Sequence, residues 1–332
     1  MEIVKKIRER ARQTQRTIVL PESKDERILK AAKIIVEENL AHIILLSDAE
    51  ETLRADARQI GLDLSKLQVI NPLQSPQLKD FAQTFYEIRK HKGITEEEAL
   101  LQIKKFVYFG AMMVRVGLAD GFVAGAITTT ADVAKAAIYC IGFGERVRTI
   151  SSCFLMSVPD CTYGSNGVFI FADCGILPDP SSSQLANIAA SAAELFTLLV
   201  QKEPRVALLS FSTKGSAEHE MVEKVVRAKE IIEKKYPELI VDGELQLDAA
   251  IVPEIAQIKA PQSSIAGSAN VLIFPDLNAG NISYKMVQRL AKAEVIGPMM
   301  NGFKKPCCDL SRGCTVDEIV NSVCSTAIRV TG

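Results

Sequence analysis

Thr17-Ile18-Val19-Leu20-Pro21-Glu22 is a short apolar run stopped by a proline, and it reads as a buried strand. Its flanks extend the pattern in both directions. Before it, Ile3 to Thr14 places Ile3, Val4, Ile7 and Ala11 on one helical face. After it, Asp25 to Glu38 reads as a helix and His42-Ile43-Ile44-Leu45-Leu46 as a second buried strand. Ala49 to Gly61 is a helix that stops at glycine, and Gln68-Val69-Ile70 is a strand ended by Asn71-Pro72. Strands alternating with helices predict a parallel sheet and an α/β architecture.

Further along, Pro76 to Val116 is mostly helical and contains the capping box Thr95-Glu96-Glu97-Glu98. Gly121 to Ala126 reads as a buried strand, followed by Thr128-Thr129-Thr130-Ala131-Asp132 and a helix to Ile141. Gly142 to Arg148 reads as a connection between domains. Ile150 to Val158 and Val168 to Ala172 form two strands with Tyr163-Gly164-Ser165-Asn166-Gly167 between them, and Asn-Gly predicts a tight antiparallel turn. Then come a long helix over Ser183 to Lys202, a strand over Val206 to Phe211 and a helix over Met221 to Lys235. A strand over Val271 to Phe274, a helix after Gly280, a short strand around Val295-Ile296 and a last helix over Val316 to Arg329 complete the chain.

The chain has 332 residues, 48% of them hydrophobic, which is enough for a large core and two domains. The start, Met1 to Arg8, is charged and amphipathic, unlike a signal peptide, and no apolar run is expected to reach the length needed to span a bilayer, so a cytoplasmic location is expected. A formal net charge of −1 with no basic block speaks against a nucleic-acid partner. Eight cysteines form no Cys-x-x-Cys pair and only three histidines are present, so no metal site is expected.

Near the C-terminus, Asp309-Leu310-Ser311-Arg312-Gly313-Cys314-Thr315 runs into a helix. It combines a hydroxyl, a guanidinium whose planar fork matches phosphate or carboxylate, a thiol and a glycine. A following helix start adds unpaired N–H groups that attract anions. Three other polar turns follow strands, where open α/β sheets bind ligands. They are Ser212-Thr213-Lys214, the stretch Asp276 to Lys285 with Tyr284 and Lys285, and Thr128-Thr129-Thr130 with Lys135 beyond it. Arg89 lies in a charged run, a pattern that is more often a solvated helix face than a binding site. Gly-x-Gly-x-x-Gly, Gly-x-Ser-x-Gly and His-Glu-x-x-His do not occur.

Together, several long motifs in order resemble the phosphate acetyltransferase (phosphotransacetylase) family over nearly the whole chain. They are Thr17 to Glu22, Leu209 to Ser216, Asp242-Gly243-Glu244-Leu245-Gln246-Leu247-Asp248-Ala249-Ala250, Phe274 to Lys285 and Asp309 to Cys314. The resemblance implies two α/β/α domains with mostly parallel sheets, similar to isocitrate and isopropylmalate dehydrogenases, with an active-site cleft between them. One domain would span 1–147 plus a returning 302–332, the other 148–301. It implies a homodimer, no tightly bound cofactor and no metal, with acetyl-CoA, coenzyme A, phosphate and acetyl phosphate as substrates and neither nucleic acid nor membrane as partner.

By the same resemblance, Ser311, Arg312 and a carboxylate following them carry the chemistry. That carboxylate is Glu318, where the family usually has Asp, or the adjacent Asp317; Thr315-x-x-Glu318 also reads as a capping box. Arg89, Thr129, Thr130, Lys135, Lys214, Tyr284, Lys285 and Cys314 are the candidate substrate contacts. This chain departs from the family at Lys135 (usually Arg), at Leu177 and Cys308 (usually Asn) and at Ser268 (usually Lys). Alternatives are phosphate butyryltransferase, an NAD-dependent decarboxylating dehydrogenase-like enzyme, an inactive coenzyme A or acyl-phosphate sensor, and, for mechanism, a covalent acyl-enzyme on Cys314.

Overall fold

The computed structural model describes residues 2–144 and 149–330. Most of the expected connection over 142–148 lies outside these residues. The chain divides into two compact units, one made of Val4–Arg146 with Phe303–Gly332 and the other of Val147–Gly302 with Met1–Ile3.

The first unit runs α1 (Glu2–Thr14), β1 (Thr17–Leu20), α2 (Glu26–Glu37), β2 (His42–Leu46), α3 (Glu50–Ile60), β3 (Gln68–Ile70), α4 (Leu78–Arg89), α5 (Glu96–Ile103), α6 (Phe106–Val116), β4 (Gly121–Ala124) and α7 (Thr130–Ala136). A π-helical segment, Ala137–Ile141, continues α7. The second unit holds β5 (Ser151–Ser157), α8 (Tyr163–Asn166), β6 (Val168–Ala172), α9 (Ser182–Val200), β7 (Arg205–Leu209), α10 (Glu220–Lys235), β8 (Ile240–Leu245), α11 (Leu247–Ile251), α12 (Pro253–Lys259), β9 (Val271–Ile273), α13 (Leu277–Leu290) and β10 (Glu294–Asn301). The chain then returns to the first unit with β11 (Cys307–Asp309) and α14 (Val316–Ile328).

In the first unit the strands lie in the order β3-β2-β1-β4-β11, every pair parallel. β1, β2 and β4 are apolar because both faces are covered: Ile18, Val19, Leu20, Phe122 and Val123 have no solvent exposure. All five carboxyl ends lie on one edge, which therefore gathers the loops after β1, β4 and β11. In the second unit the order is β10-β5-β6-β9-β7-β8, with β10, β5 and β6 antiparallel and the rest parallel. This is the expected α/β class with mostly parallel sheets.

The expected antiparallel pairing of β5 with β6 forms, its connection over 158–167 containing α8, and two other expectations are corrected. Asn166 and Gly167 do both adopt left-handed φ, of 55° and 79°. The strand around Val295 runs eight residues, Glu294–Asn301. Finally, α9 is long and apolar enough by composition to cross a membrane. Its apolar residues, among them Leu185, Ile188, Leu195 and Phe196, are instead buried in the protein, as those of a core helix are.

Candidate active site

The site grows from the end of β1. Glu22 is 3% exposed, a costly place for a carboxylate unless it is fully hydrogen-bonded. Its two oxygens accept four consecutive backbone N–H groups from the loop after β4. Gly125 (2.7 Å) and Ala126 (2.8 Å) donate to Oε2, and Ile127 (3.2 Å) and Thr128 (2.8 Å) donate to Oε1. That nest presets the loop leading into α7, whose N-cap Thr129 accepts the N–H of Asp132. Gly125 has φ +117°, and a Cβ there would overlap Asp309 Oδ1, so only glycine lets β4 end this close to β11.

β11 delivers the C-terminal motif to the same edge. Leu310 N–H donates to the Ala124 carbonyl at 2.7 Å, and the chain then turns, with Cys314 N–H on Ser311 O at 2.9 Å. Ser311 and Arg312 point outward and are exposed. Among the described residues the Arg312 guanidinium has no hydrogen bond or ion pair. Its backbone, by contrast, is pinned. Arg27 donates through Nη1 to the carbonyls of Arg312 (2.8 Å) and Cys314 (2.9 Å), and through Nη2 to Ala126 O (2.9 Å) and Asp25 (2.6 Å). One planar fork thus ties the Ser311–Cys314 turn to the Glu22-bound loop.

The two candidate acids part company. Glu318 folds back over Thr315 in a complete capping box, with Thr315 N–H on its Oε2 at 2.8 Å, and remains at the Ser311–Cys314 turn. Asp317 faces α1, pairing with Arg8 at 2.8 Å. Cys314 is buried, and burial pushes its thiol up to about 11, with Arg27 pulling the other way. A thiol in that state is neutral near pH 7. Arg89, at the end of α4, stacks its guanidinium on the Tyr139 ring at 3.9 Å, and Lys135 lies one turn earlier on the same helix, half exposed. Thr129 and Thr130 begin that helix, so α7 and its continuation gather Thr129, Thr130, Lys135 and, through Tyr139, Arg89.

In the second unit three candidates meet different fates. Lys214 is engaged by the buried carboxylate of Asp242, where burial alone would raise the acid but the hydrogen bonds from Lys214, Ser263 and Gly243 N–H hold it below its ordinary value. Ser212 Oγ and Gly215 N–H both bind buried Glu244 at 2.9 and 2.7 Å, which makes this turn internally satisfied. Tyr284 is a core residue, stacked on Phe154 with ring centroids 4.1 Å apart, rather than a side chain presented to a ligand. Lys285 is exposed beside it.

Three residues of the site escaped the sequence reading. Glu22 was visible only as part of a strand motif. Arg27 carried a signal, because a cation in the first turn of a helix opposes the dipole and needs another reason to be there. Asp309 is 1% exposed and ends β11, its Oδ2 accepting the Thr130 hydroxyl at 2.6 Å. No trio of His, Cys, Asp and Glu is placed to hold a metal among the described residues. Cavities of about 530 and 380 Å³ in the first unit lie around the ends of β2 and β3, beside Asp48, Asn71 and Gln74, and include none of the candidate residues.

Comparison with known proteins fits this arrangement. The model of the family described as "Phosphate acetyl/butaryl transferase" matches residues 2–327. The chain is 50% identical over 329 residues to a phosphate acetyltransferase of Thermoanaerobacterium thermosaccharolyticum, covering 99% of both chains. Among solved structures, a phosphotransacetylase from Streptococcus pyogenes superposes with a TM-score of 0.92 at 40% identity, covering 99% of this chain and 98% of that one. The EutD phosphotransacetylase from Staphylococcus aureus gives 0.87 at 38%, with the same coverage. A pinned turn carrying Ser-Arg at the carboxyl edge of a parallel sheet, and matches that run the length of the chain, place this protein in the phosphate acetyl/butaryl transferase family.

Proposed function

We propose that the protein catalyses the reversible reaction of acetyl-CoA with inorganic phosphate to give acetyl phosphate and coenzyme A, by direct transfer in a ternary complex. The observation that carries this reading is the exposed guanidinium of Arg312, without a partner among the described residues, on a turn whose backbone Arg27 holds fixed, with Ser311 beside it and Glu318 capping the helix that follows. A guanidinium left without a partner beside a preset loop is suited to an oxyanion.

In the direction of acetyl-CoA formation, Glu318 takes the proton of the coenzyme A thiol. The thiolate attacks the acetyl carbonyl carbon of acetyl phosphate. A C–S bond forms, the C–O bond to phosphate breaks, and phosphate leaves with the electron pair. Arg312 offsets charge on the phosphoryl oxygens and Ser311 hydrogen-bonds the reacting groups. A free thiol has a pKa of about 8.5, so only a few per cent is thiolate near neutrality. A positioned base commonly contributes roughly 100- to 10,000-fold. Arg89 and Lys135 hold substrate phosphates from α4 and α7, with Thr129 and Thr130 at the α7 start. Coenzyme A acts as a substrate, with no resident cofactor, in a homodimer; these last readings rest on the resemblance to the family.

The test is loss of acetyl-CoA thioester absorbance with purified protein. Turnover that requires phosphate supports the reading, and none with phosphate present refutes it. A parallel series of acyl chain lengths decides the acyl group, since faster turnover of butyryl-CoA than acetyl-CoA removes the acetyl assignment. Size measurement by light scattering decides the dimer.

A further inference from the structure

A buried acid stands directly behind an exposed hydroxyl at this site. Asp309 is 1% exposed, and its Oδ2 accepts the hydroxyl of Thr130 at 2.6 Å. Thr130 itself is exposed, at the first position of α7. The other oxygen of Asp309, Oδ1, is buried and has no hydrogen-bond partner. An ionised carboxylate in that position forfeits a good part of its hydration. The same residue leads within two positions to Ser311 and within three to Arg312.

We propose that Asp309 is a positioning residue that couples oxyanion binding at this site to the uptake of one proton, with the Thr130 hydroxyl as the link. The inference rests on the phosphate-transfer reading above. When Asp309 is ionised it can only accept, so the single proton of Thr130 is directed inward and the hydroxyl turns lone pairs to the ligand. When Asp309 is protonated, its own O–H donates to Thr130 Oγ1. The threonine proton is then released to point outward at a phosphate oxygen. The balance is one proton from solvent, resting on the Asp309 carboxyl, with no covalent bond to Thr130 changed. Neutralising Asp309 also removes one negative charge from behind a bound anion.

The surroundings favour the protonated form near neutrality. Burial pushes Asp309 up to about 7, the carboxylate of Glu22 adds to that, and the Thr130 hydroxyl offsets part of it. The β1–α2 turn presents Glu22 and Arg27, and Arg27 is committed to Asp25 and to three backbone carbonyls. From α7 come Asp132 and Lys135, whose charged atoms are 3.9 Å apart. On the strand itself the thiols of Cys307 and Cys308 are pushed up to about 12 by burial and stay neutral. From α14, Arg329 bonds the Cys307 carbonyl at 3.0 Å.

Calorimetric titration with inorganic phosphate near pH 7, in two buffers of different ionisation heat, reads the proton directly. Wild type should take up more protons than Asp309→Asn, whose amide mimics the donating acid. Above pH 7 the phosphate affinity of wild type should fall relative to Asp309→Asn, approaching tenfold per pH unit; the ionisation of phosphate itself cancels in that ratio. Thr130→Ser should keep the coupling and Thr130→Val should lose it. Equal proton uptake by wild type and Asp309→Asn, in an enzyme that turns over, overturns the coupling alone. No phosphate binding and no turnover overturns the transfer reading, and the coupling with it. Should Asp309→Asn fail to fold, carboxyl ¹³C resonances of the wild type decide. A titration midpoint for Asp309 that rises on adding phosphate supports the coupling, and one that stays put refutes it.

Discussion

Arg27 Nη1 donates to the backbone carbonyl of Arg312 at 2.8 Å, joining the first turn of α2 to a turn 285 residues later in the chain. The same guanidinium reaches Cys314 O and Ala126 O, so it fixes where the Arg312 side chain starts without touching that side chain. Hydrogen bonds from a charged donor contribute roughly 1.5–3 kcal/mol each. Arg27→Lys keeps the charge but cannot serve three carbonyls in one plane. Turnover should fall about 10- to 100-fold in Arg27→Lys, since 1.4 kcal/mol in a barrier is about tenfold. Steady-state kinetics check this, and wild-type kcat in the lysine variant refutes the clamp.

The Arg312 side chain itself is exposed and unpaired among the described residues, so the fold gains little from it. Arg312→Ala should therefore leave the melting temperature within about a degree or two, the range of neutral surface changes. Its turnover should fall by a factor of about 100 to 1,000, as when a charge-stabilising donor is removed. Melting and rate measured on one preparation separate the two effects, and near-normal turnover refutes the role.

Glu318 and Asp317 are neighbours with different partners. Asp317 is 76% exposed on its side chain and pairs with Arg8 of α1 at 2.8 Å, an exposed ion pair of small worth. Glu318 lies over Thr315 at the Ser311–Cys314 turn. Glu318→Gln retains an oxygen that can accept the Thr315 N–H, so the cap survives while the base is lost. Turnover should drop at least about 100-fold in Glu318→Gln, and less than about twofold in Asp317→Asn, where only the weak surface pair is lost. The reverse order in a kinetic comparison moves the base to Asp317.

Much of this layout could be read from the chain, for physical reasons that also explain the failures. Thr17–Leu20, His42–Leu46 and Gln68–Ile70 are short runs between clear helix and turn signals, and each proved a strand over those residues. β8 went unread because Asp242, Gly243 and Glu244 interrupt its apolar run. Those acids are buried because Lys214, Ser212 and backbone N–H groups meet them. β11 is Cys307-Cys308-Asp309, which has no β-branched or aromatic residue to mark a strand and ends in a buried acid. The Ser311-Arg312 turn was legible because its residue types advertise anion binding. Glu22 was not, and Arg27 was marked only by a cation set against its helix dipole, because their partners are backbone groups some 100 and 285 residues away, which leave no mark on composition. Tyr284 was read as facing a ligand from its place early in α13, but helical phase alone does not say which side meets Phe154.

Cys314 offers a decision between direct and covalent transfer. Its thiol is buried and pushed up to about 11, chiefly by desolvation, with Glu318 and Asp25 adding to the shift and Arg27 opposing it. A nucleophilic cysteine needs the opposite environment. Cys314→Ala should keep at least about a third of wild-type kcat, in the range of a small packing loss and far from the roughly 100-fold or greater loss of a nucleophile. No acyl-enzyme should accumulate with acetyl-CoA in the absence of phosphate, as intact-protein mass spectrometry would read it. A 42-dalton adduct, the mass of an acetyl group replacing hydrogen (about one thioester formed at a cysteine), lost in Cys314→Ala together with activity, would establish the covalent route instead.

Asp309 also sets a stability profile whose sign follows from its shift. Its carboxyl is pushed up to about 7 in the folded protein, whereas an unfolded aspartate titrates at about 3.9. Between those values the folded state holds a proton that the unfolded chain has released, so stability falls as pH rises from about 4 to about 7. Above that the penalty is complete and constant. Asp309→Asn has no such penalty and its amide can still meet the Thr130 hydroxyl. Relative to wild type, the variant should therefore gain about 2 to 3 kcal/mol between pH 5 and pH 8, at about 1.4 kcal/mol per unit of the interval up to 7. Urea unfolding at both pH values reads the difference directly. An unchanged gap between variant and wild type would mean that Asp309 is already ionised at pH 5, and that the acid behind Thr130 carries no proton to give.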